Sequence, residues 1–405
     1  MTEYNFDALL DRRGTASLKW DQYPEDVLPL WVADMDFRSP EPVIQALRQR
    51  VDHGIFGYPL GANGNPTDQP DLRQVIVERL GRLYGWQVQP EELVFVPGVV
   101  TGFNLAGYML QSPGAGVLMQ TPIYHPILQA PDNFGMVRQE ASLLPVVSGD
   151  TANGASCYPL RYEIDFDAFQ AAINSQTRLF ILCNPHNPVG RVFRREELLQ
   201  MAEICLRHRI LICSDEIHCD LVFSGQRHIP IASLDAEIAR NTITLMAPSK
   251  TYNIPGLKFS FAVIQNPELR QMYREASKGL VSWINVMGWV AALAAYREGQ
   301  DWLDQLLLYL EANRDYVFET IQREMPQITL TKPEGTYLAW LDCRHLGLKV
   351  SPYEFFLQRA KVAFNDGKIF GKEGEGFVRL NFGCPRETLV EAVKRMGQAV
   401  GEIYS

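Results

Sequence analysis

Four short apolar runs in this sequence end on residues that can do chemistry. After LVFV come Pro97, Gly98, Val99, Val100 and Thr101. After LFILC comes NPHNPVG, which contains Asn187. After LIC come Ser214, Asp215 and Glu216, and after TITLM come Ala247, Pro248, Ser249 and Lys250. A glycine turn that opens a helix offers unpaired backbone N–H groups at the positive end of a helix dipole, which suits a phosphate. A lysine amine can form an imine with an aldehyde, a carboxylate can keep a pyridine nitrogen protonated, and an amide can donate beside a phenolic oxygen. Each residue alone says little, because strands of any α/β protein end in Asp, Asn or Lys for turn formation. Their order, each directly after an apolar strand, points to one pocket for a phosphorylated aldehyde cofactor.

The elements that must position these residues follow from periodicity. From about Asp71 to Ser260, amphipathic helices alternate with short apolar strands, the pattern of a parallel sheet covered by helices. Leu72, Val75, Ile76, Leu80 and Leu83 have helical spacing, and strands are predicted at Leu93–Val96, Val117–Met119, Leu179–Cys183, Leu211–Cys213 and Thr242–Met246. In open sheets of this kind, ligands bind beyond the carboxyl ends of the strands. Past Met325 the chain reads as a smaller α+β unit, with strands near Thr336–Leu341 and Phe377–Phe382 and a last helix from about Glu387. The expected division is an N-terminal arm and part of a small domain over 1–44, a large domain over 45–289 and a small domain over 290–405. The segment Val147–Tyr158, rich in Ser, Gly, Asn and Asp, reads as a surface insertion.

Composition narrows the class of function. The chain has 405 residues, 46% hydrophobic and 21% charged, enough for two cores. Its formal charge of -9 with no basic block argues against nucleic acid and anionic membranes, leaving a small molecule as the expected partner. No apolar run approaches the roughly 20 residues needed to span a bilayer, and the start MTEYNFDALLDRRG lacks a signal-peptide core. The seven cysteines form no CxxC pair and mostly lie within apolar stretches, which fits a reducing cytoplasm and not a zinc site.

NPHNPVG from Asn184, SDEIH from Ser214 and SKTYNIPGLKFS from Ser249 resemble the cofactor-binding blocks of the fold-type I pyridoxal 5′-phosphate (PLP) enzymes, the aspartate-aminotransferase superfamily, over essentially the whole chain. The resemblance implies an α/β large domain with a mostly parallel sheet, plus a smaller α+β domain. It also implies that Lys250 holds PLP as a Schiff base, that Asp215 pairs with the pyridine nitrogen and that Asn187 donates to the ring hydroxyl. Gly98, Val99 and Val100 match the phosphate turn, joined by Ser249 and by Lys258, which stands where the superfamily often has arginine. Tyr124, in TPIYHP, matches the aromatic residue stacked on the ring. Tyr58, in FGYP, matches the tyrosine that reaches the neighbouring subunit's cofactor, so a symmetric homodimer is implied. Arg379 lies in FVRLNF on the same strand face as Phe377 and Asn381, and a charge there needs a partner. Either it grips a substrate α-carboxylate, as the resemblance implies for Arg379 with Asn187 beside it, or it makes a structural salt bridge.

WVADMDF from Trp31, together with NPHNPVG and DEIH, resembles the MalY/PatB branch of cystathionine β-lyases. That branch has His218 where ordinary aminotransferases carry Tyr, and His218 either tunes the ring oxygen or is a buried core histidine. Ala247 and Pro255 depart from the common pattern. The resemblance implies α,β-elimination of a thiol from L-cystathionine or an S-substituted L-cysteine, with pyruvate and ammonia as the other products. Lys250 acts as the base at Cα, and either Lys250 or Tyr124 protonates the sulfur. An aminotransferase using the same residues is the nearest alternative, and a regulatory protein-binding role with secondary lyase activity is a further one.

Overall fold

The computed structural model describes residues 3–57, 70–147 and 159–404. Tyr58, and with it the expected contact across a dimer, lies outside the described residues, as do Cys157 and nearly all of the surface insertion.

Seven strands form the larger sheet: β1 (Leu93–Val96), β2 (Gly116–Thr121), β3 (Val137–Ser142), β4 (Thr177–Cys183), β5 (Leu211–Asp215), β6 (Thr242–Met246) and β7 (Ser260–Val263), in the order β1-β7-β6-β5-β4-β2-β3. All pairings from β6 to β3 are parallel. β7 runs antiparallel to both its neighbours, so β1 points the same way as β6. The carboxyl ends of β1, β2, β4, β5 and β6 therefore all open on one edge, where ligand sites of such sheets form. β3 and β7 were not among the strands expected. VRQEAS is a half-exposed edge strand with no run of apolar residues, and SFAV is too short to separate by periodicity from the apolar residues flanking it.

Both faces of the sheet are covered, which explains why its central strands read as continuous apolar runs. Along β4, Leu179, Ile181 and Cys183 join a core with Val99, Phe103 and Leu245, whereas Phe180 and Leu182 join another with Leu198, Met201 and Ile212. Each such side chain, fully buried, contributes about 1.5–3 kcal/mol. Helix α1 (Val99–Leu110) lies close on the first face because residue 102 is glycine: a Cβ there would fall 2.7 Å from Leu245 Cδ2. The Tyr273 hydroxyl also donates to the Gly102 carbonyl at 2.9 Å.

A second, antiparallel sheet holds β8 (Thr329–Leu330), β9 (Leu338–Asp342), β10 (Asn365–Asp366) and β11 (Phe377–Asn381) in the order β8-β9-β11-β10. β9 starts two residues later than expected, because Thr336 takes a left-handed conformation with φ 71° that breaks the extended run. The N-terminal chain is sewn to this region. Leu28–Pro29 pairs in parallel with Val362–Ala363, and the Asn381 N–H donates to the Leu30 carbonyl at 2.9 Å. Residues 31–37 then reach the larger sheet, where the Asn253 side chain binds Met35 through both its N–H and its carbonyl, and the Phe37 carbonyl as well. The fold is thus the expected α/β class, with a mostly parallel larger sheet and a smaller second unit. No described helix is long and apolar enough to cross a membrane.

Candidate active site

Sheet register decides where the polar strand-end residues fall. Cys183 on β4 pairs with Asp215, the last residue of β5, and Asp215 pairs with Leu245 on β6. Asn187 and Lys250 follow a few residues beyond these pairs. Gly98 is the N-cap of α1 just past β1, and Tyr124 is the N-cap of helix α2 (His125–Asn133) just past β2. Gly98 is extended, and the space in front of its Cα is open: a Cβ built there meets nothing within 4 Å. The first N–H groups of α1, those of Val99 and Val100 among them, have no carbonyl within their own helix. Ser249 and Lys250 form the four-residue helix α3 (Pro248–Thr251), and Lys258 stands exposed after it in a left-handed conformation with φ 54°.

Asp215 and Arg379 at this edge are buried and Lys250 half-buried, each with few partners among the described residues. Asp215 is 3% exposed, and among the described residues its side chain accepts only the Ile217 N–H, at 3.1 Å. Burial raises its pKa to about 7, assisted by Glu216, against that hydrogen bond and the opposing pull of Lys250. Burial lowers the Lys250 amine to about 8, with Arg379 and Lys258 also lowering it and Asp34 and Asp215 raising it.

Arg379 is also 3% exposed, and it forms no ion pair with any described residue. The salt-bridge alternative therefore has no partner among the described residues. Its neutral partners are the Asn187 side-chain oxygen at 2.9 Å, the Asn365 side-chain oxygen at 2.5 Å and the Trp31 carbonyl at 3.0 Å, and its Nε has none. The guanidinium lies 4.9 Å from the centre of the Phe370 ring. Burial with no counter-charge lowers its pKa to about 10. A buried arginine with two of its nitrogens on amide oxygens and one free is a cation prepared for an anion.

Tyr124 lies within electrostatic reach of Arg379 and Asp215, and burial raises its hydroxyl pKa. His218 is 3% exposed, has an unpartnered Nδ1, and stands edge-on to Tyr337 with ring centres 6.0 Å apart. Burial holds it neutral, reinforced by Lys250 and Arg379. His186 has a plainly structural setting: its ring nitrogens face the carbonyls of Cys183 at 3.1 Å and Pro122 at 2.8 Å.

Three features of the site were not read from sequence. The Lys250 Nζ donates to the Ala33 carbonyl at 2.5 Å, and the Tyr337 hydroxyl donates to the same oxygen at 2.8 Å. WVADMDF is therefore a run of backbone acceptors laid over the lysine and the arginine, and backbone carbonyls leave no residue-type signal. Tyr337 could have been noticed as the phenol at the head of an apolar strand. His125 is the third feature: it packs against Phe370 and Tyr124, and burial and then Arg379 lower its pKa to about 4. Its only sequence signal was its place beside Tyr124.

The set fits an anionic pyridine aldehyde. It offers a helix N-terminus in front of an open glycine, a lone buried carboxylate, an amine of lowered proton affinity, and a free guanidinium edge for a second anion.

Known proteins agree with this chemistry. The aminotransferase class I and II family matches residues 25–396. Cystathionine beta-lyase PatB of Bacillus subtilis is 37% identical over 98% of this chain and 100% of its own. Protein MalY of Escherichia coli is 32% identical over 98% of this chain and 99% of its own. Among solved structures, the PLP-bound C-S lyase from Staphylococcus hominis superimposes with a TM-score of 0.88 at 33% identity, covering 98% of this chain and 99% of that one.

Proposed function

This chain belongs to the aminotransferase class I and II family, and from that premise we infer that it is a PLP-dependent carbon–sulfur β-lyase acting on an amino-acid substrate. L-Cystathionine, or a similar S-substituted L-cysteine, is cleaved to a thiol, pyruvate and ammonia. The observation that carries the reading is the trio of Lys250, Asp215 and Arg379: a half-buried amine in electrostatic reach of a buried carboxylate and a buried guanidinium, none of them in an ion pair with a described residue.

When bound, the cofactor supplies an aldehyde for covalent attachment and a ring that accepts the electron pair left at Cα. The remaining steps fall to this chain's residues. Arg379 binds the substrate carboxylate through its free edge, and Asn187, already fixed by the Arg379 guanidinium, sits beside it. That grip orients Cα toward Lys250. Lys250, with its amine free, would be a base whose proton affinity near pH 8 suits both taking the Cα proton and giving a proton up to another group. Asp215 would hold a proton at the ring nitrogen, and pairing with that cation would relieve the burial cost it otherwise carries. Gly98, Val99, Val100, Ser249 and Lys258 are proposed to hold the phosphate, and Tyr124 to stack on the ring. His218, neutral and with a free Nδ1, is proposed to hydrogen-bond at the ring oxygen. Either Lys250 or Tyr124 is proposed to give the departing sulfur its proton. A homodimer, with Tyr58 serving the neighbouring site, completes the proposal.

The test is to give the PLP-loaded protein L-cystathionine without any 2-oxo acid and to measure pyruvate and free thiol together, with Lys250→Ala as control. Sustained, equal amounts of pyruvate and thiol that vanish in the control are expected. Amino transfer on adding a 2-oxo acid, with no pyruvate from any thioether, would make the chain an aminotransferase.

A further inference from the structure

Behind the carbonyls that meet Lys250 and Arg379 lies a compact knot of paired charges. Asp36 is 4% exposed, and three donors converge on it: Lys19 Nζ at 2.7 Å, Arg12 Nη1 at 2.6 Å and Trp20 Nε1 at 2.7 Å. Asp34 takes a two-pronged grip from Arg12 at 2.8 and 3.3 Å. Lys19 is fully buried and also donates to the Asp34 carbonyl at 3.3 Å, while the Trp31 indole donates to the Lys19 carbonyl at 3.1 Å. On the opposite side, Asn381 Nδ2 binds the carbonyls of Val32 and Asp34 at 2.6 and 2.7 Å. The five carbonyls from Trp31 to Met35 are thus all occupied. Those of Trp31 and Ala33 are occupied by Arg379 and Lys250 themselves.

Two observations make this more than a stabilising cluster. A fully buried lysine paired with a buried and a half-buried aspartate is a costly way to hold a loop, because apolar residues of similar volume generally do that as well or better. The knot also ends on the only two carbonyls of the segment that face the reacting groups. Resting on the lyase reading above, we propose that Arg12, Lys19, Asp34 and Asp36 are positioning residues, which fix the Ala33 carbonyl as the acceptor for the free Lys250 amine and the Trp31 carbonyl as a stop for Arg379.

The charged and titratable groups facing Lys250 are Asp34 on this segment, Asp215 and His218 at the end of β5, Lys258 beyond α3, Tyr337 before β9 and Arg379 on β11. None of these residues is replaced by a change at Asp36 or Trp20, although Asp36→Asn also removes a charge that Arg12 and Lys19 share with Asp34. Asp36→Asn removes the hub. Trp20→Phe removes one neutral donor and no charge, so it cannot act on Lys250 through the electric field.

The experiment follows the rate of reductive methylation of Lys250 by formaldehyde against pH in the full-length chain stripped of cofactor, read by mass spectrometry. It needs no lyase activity. For Asp36→Asn the midpoint is expected to fall by about one pH unit, because the ammonium loses its acceptor, and for Trp20→Phe to fall by a smaller amount in the same direction. In the PLP-loaded enzyme, kcat for L-cystathionine should fall about tenfold in Asp36→Asn with a smaller change in KM, and Asp36→Glu should recover part of it. Midpoints within about 0.2 unit of the parent in both variants would leave the knot a purely structural element. A shift in Asp36→Asn with none in Trp20→Phe would make the effect one of charge and overturn positioning. Should Asp36→Asn not fold, Trp20→Phe decides alone. A lyase assay that fails while the methylation midpoint moves would refute the proposed reaction and not this arrangement.

Discussion

Arg191 and Arg379 are buried to the same degree, each 3% exposed, and both lie close to the NPHNPVG segment, yet their surroundings differ in kind. Arg191 grips Glu197 through two bonds of 2.9 and 2.8 Å, pairs with Glu163 at 3.1 Å and has Glu334 at 3.4 Å. Arg379 has only neutral acceptors, two amide oxygens and a carbonyl, and although the Nε of both arginines lacks a hydrogen bond, that of Arg191 has the Glu334 carboxylate at 3.4 Å and that of Arg379 has no carboxylate among the described residues. One guanidinium has its counter-charges within the chain and the other waits for an anion from outside. Burial is thus no guide to a site by itself. The cost of burying a charge is offset locally at Arg191 and left open at Arg379, and charges left open in this way gather where binding or chemistry requires them.

The largest expected effect sharpens that contrast at its centre. Lys250→Ala should lower kcat for β-elimination by about 10⁴-fold, as steady-state pyruvate release would show, while far-ultraviolet circular dichroism stays that of the parent. Next is Asp215→Asn, for which activity should fall by about 10²–10³-fold and cofactor should be held less tightly, as equilibrium dialysis would measure. The same variant should make the cofactor-free chain more stable. The folded carboxyl titrates near pH 7 against 3.8 in the unfolded chain, so the folded state holds this proton more tightly, and its contribution to stability falls as pH rises from about 4 to 7. The gain from Asp215→Asn should therefore be absent near pH 4 and reach a few kcal/mol by about pH 8, read by denaturant melts at both pH values. A variant stabilised equally at both would break the account of Asp215. The smallest effect concerns the scaffold alone: Gly102→Ala should cost about 1–3 kcal/mol in a thermal melt through its clash with Leu245, with KM nearly unchanged.

Much of this arrangement was legible in the sequence, for a physical reason. In a sheet covered on both faces the central strands are apolar throughout, so the first polar residues after each run mark a carboxyl end, as Ser214 and Asp215 do after LIC and Ser249 and Lys250 do after TITLM. Arg379 stood out as a charge on a strand whose neighbours are apolar. The rest was written in places that residue types do not report. Ala33 and Trp31 act through carbonyls that any residue would supply, and the ties from Arg12 and Lys19 to Asp34 and Asp36 depend on how an irregular N-terminal segment folds back. β3 is polar because it is an edge, and β7 is antiparallel because of the chain's route rather than its composition. The resemblance of WVADMDF to a lyase branch marked the segment without saying what it touches.

The most direct test of the central claim, that unpaired burial marks the working site, is to measure melting temperature and KM for L-cystathionine side by side in Arg379→Met and Arg191→Met. Arg379→Met should keep or exceed the parent's melting temperature while KM rises about 10²-fold or more through loss of a charge-assisted pair of hydrogen bonds. Arg191→Met should lose about 3–5 kcal/mol of stability, because it removes the buried partner of Glu197 and leaves it only the exposed Arg194, with KM of the folded enzyme near that of the parent. If Arg379→Met instead destabilises the fold as much as Arg191→Met and leaves KM unchanged, Arg379 is a structural residue and the account fails.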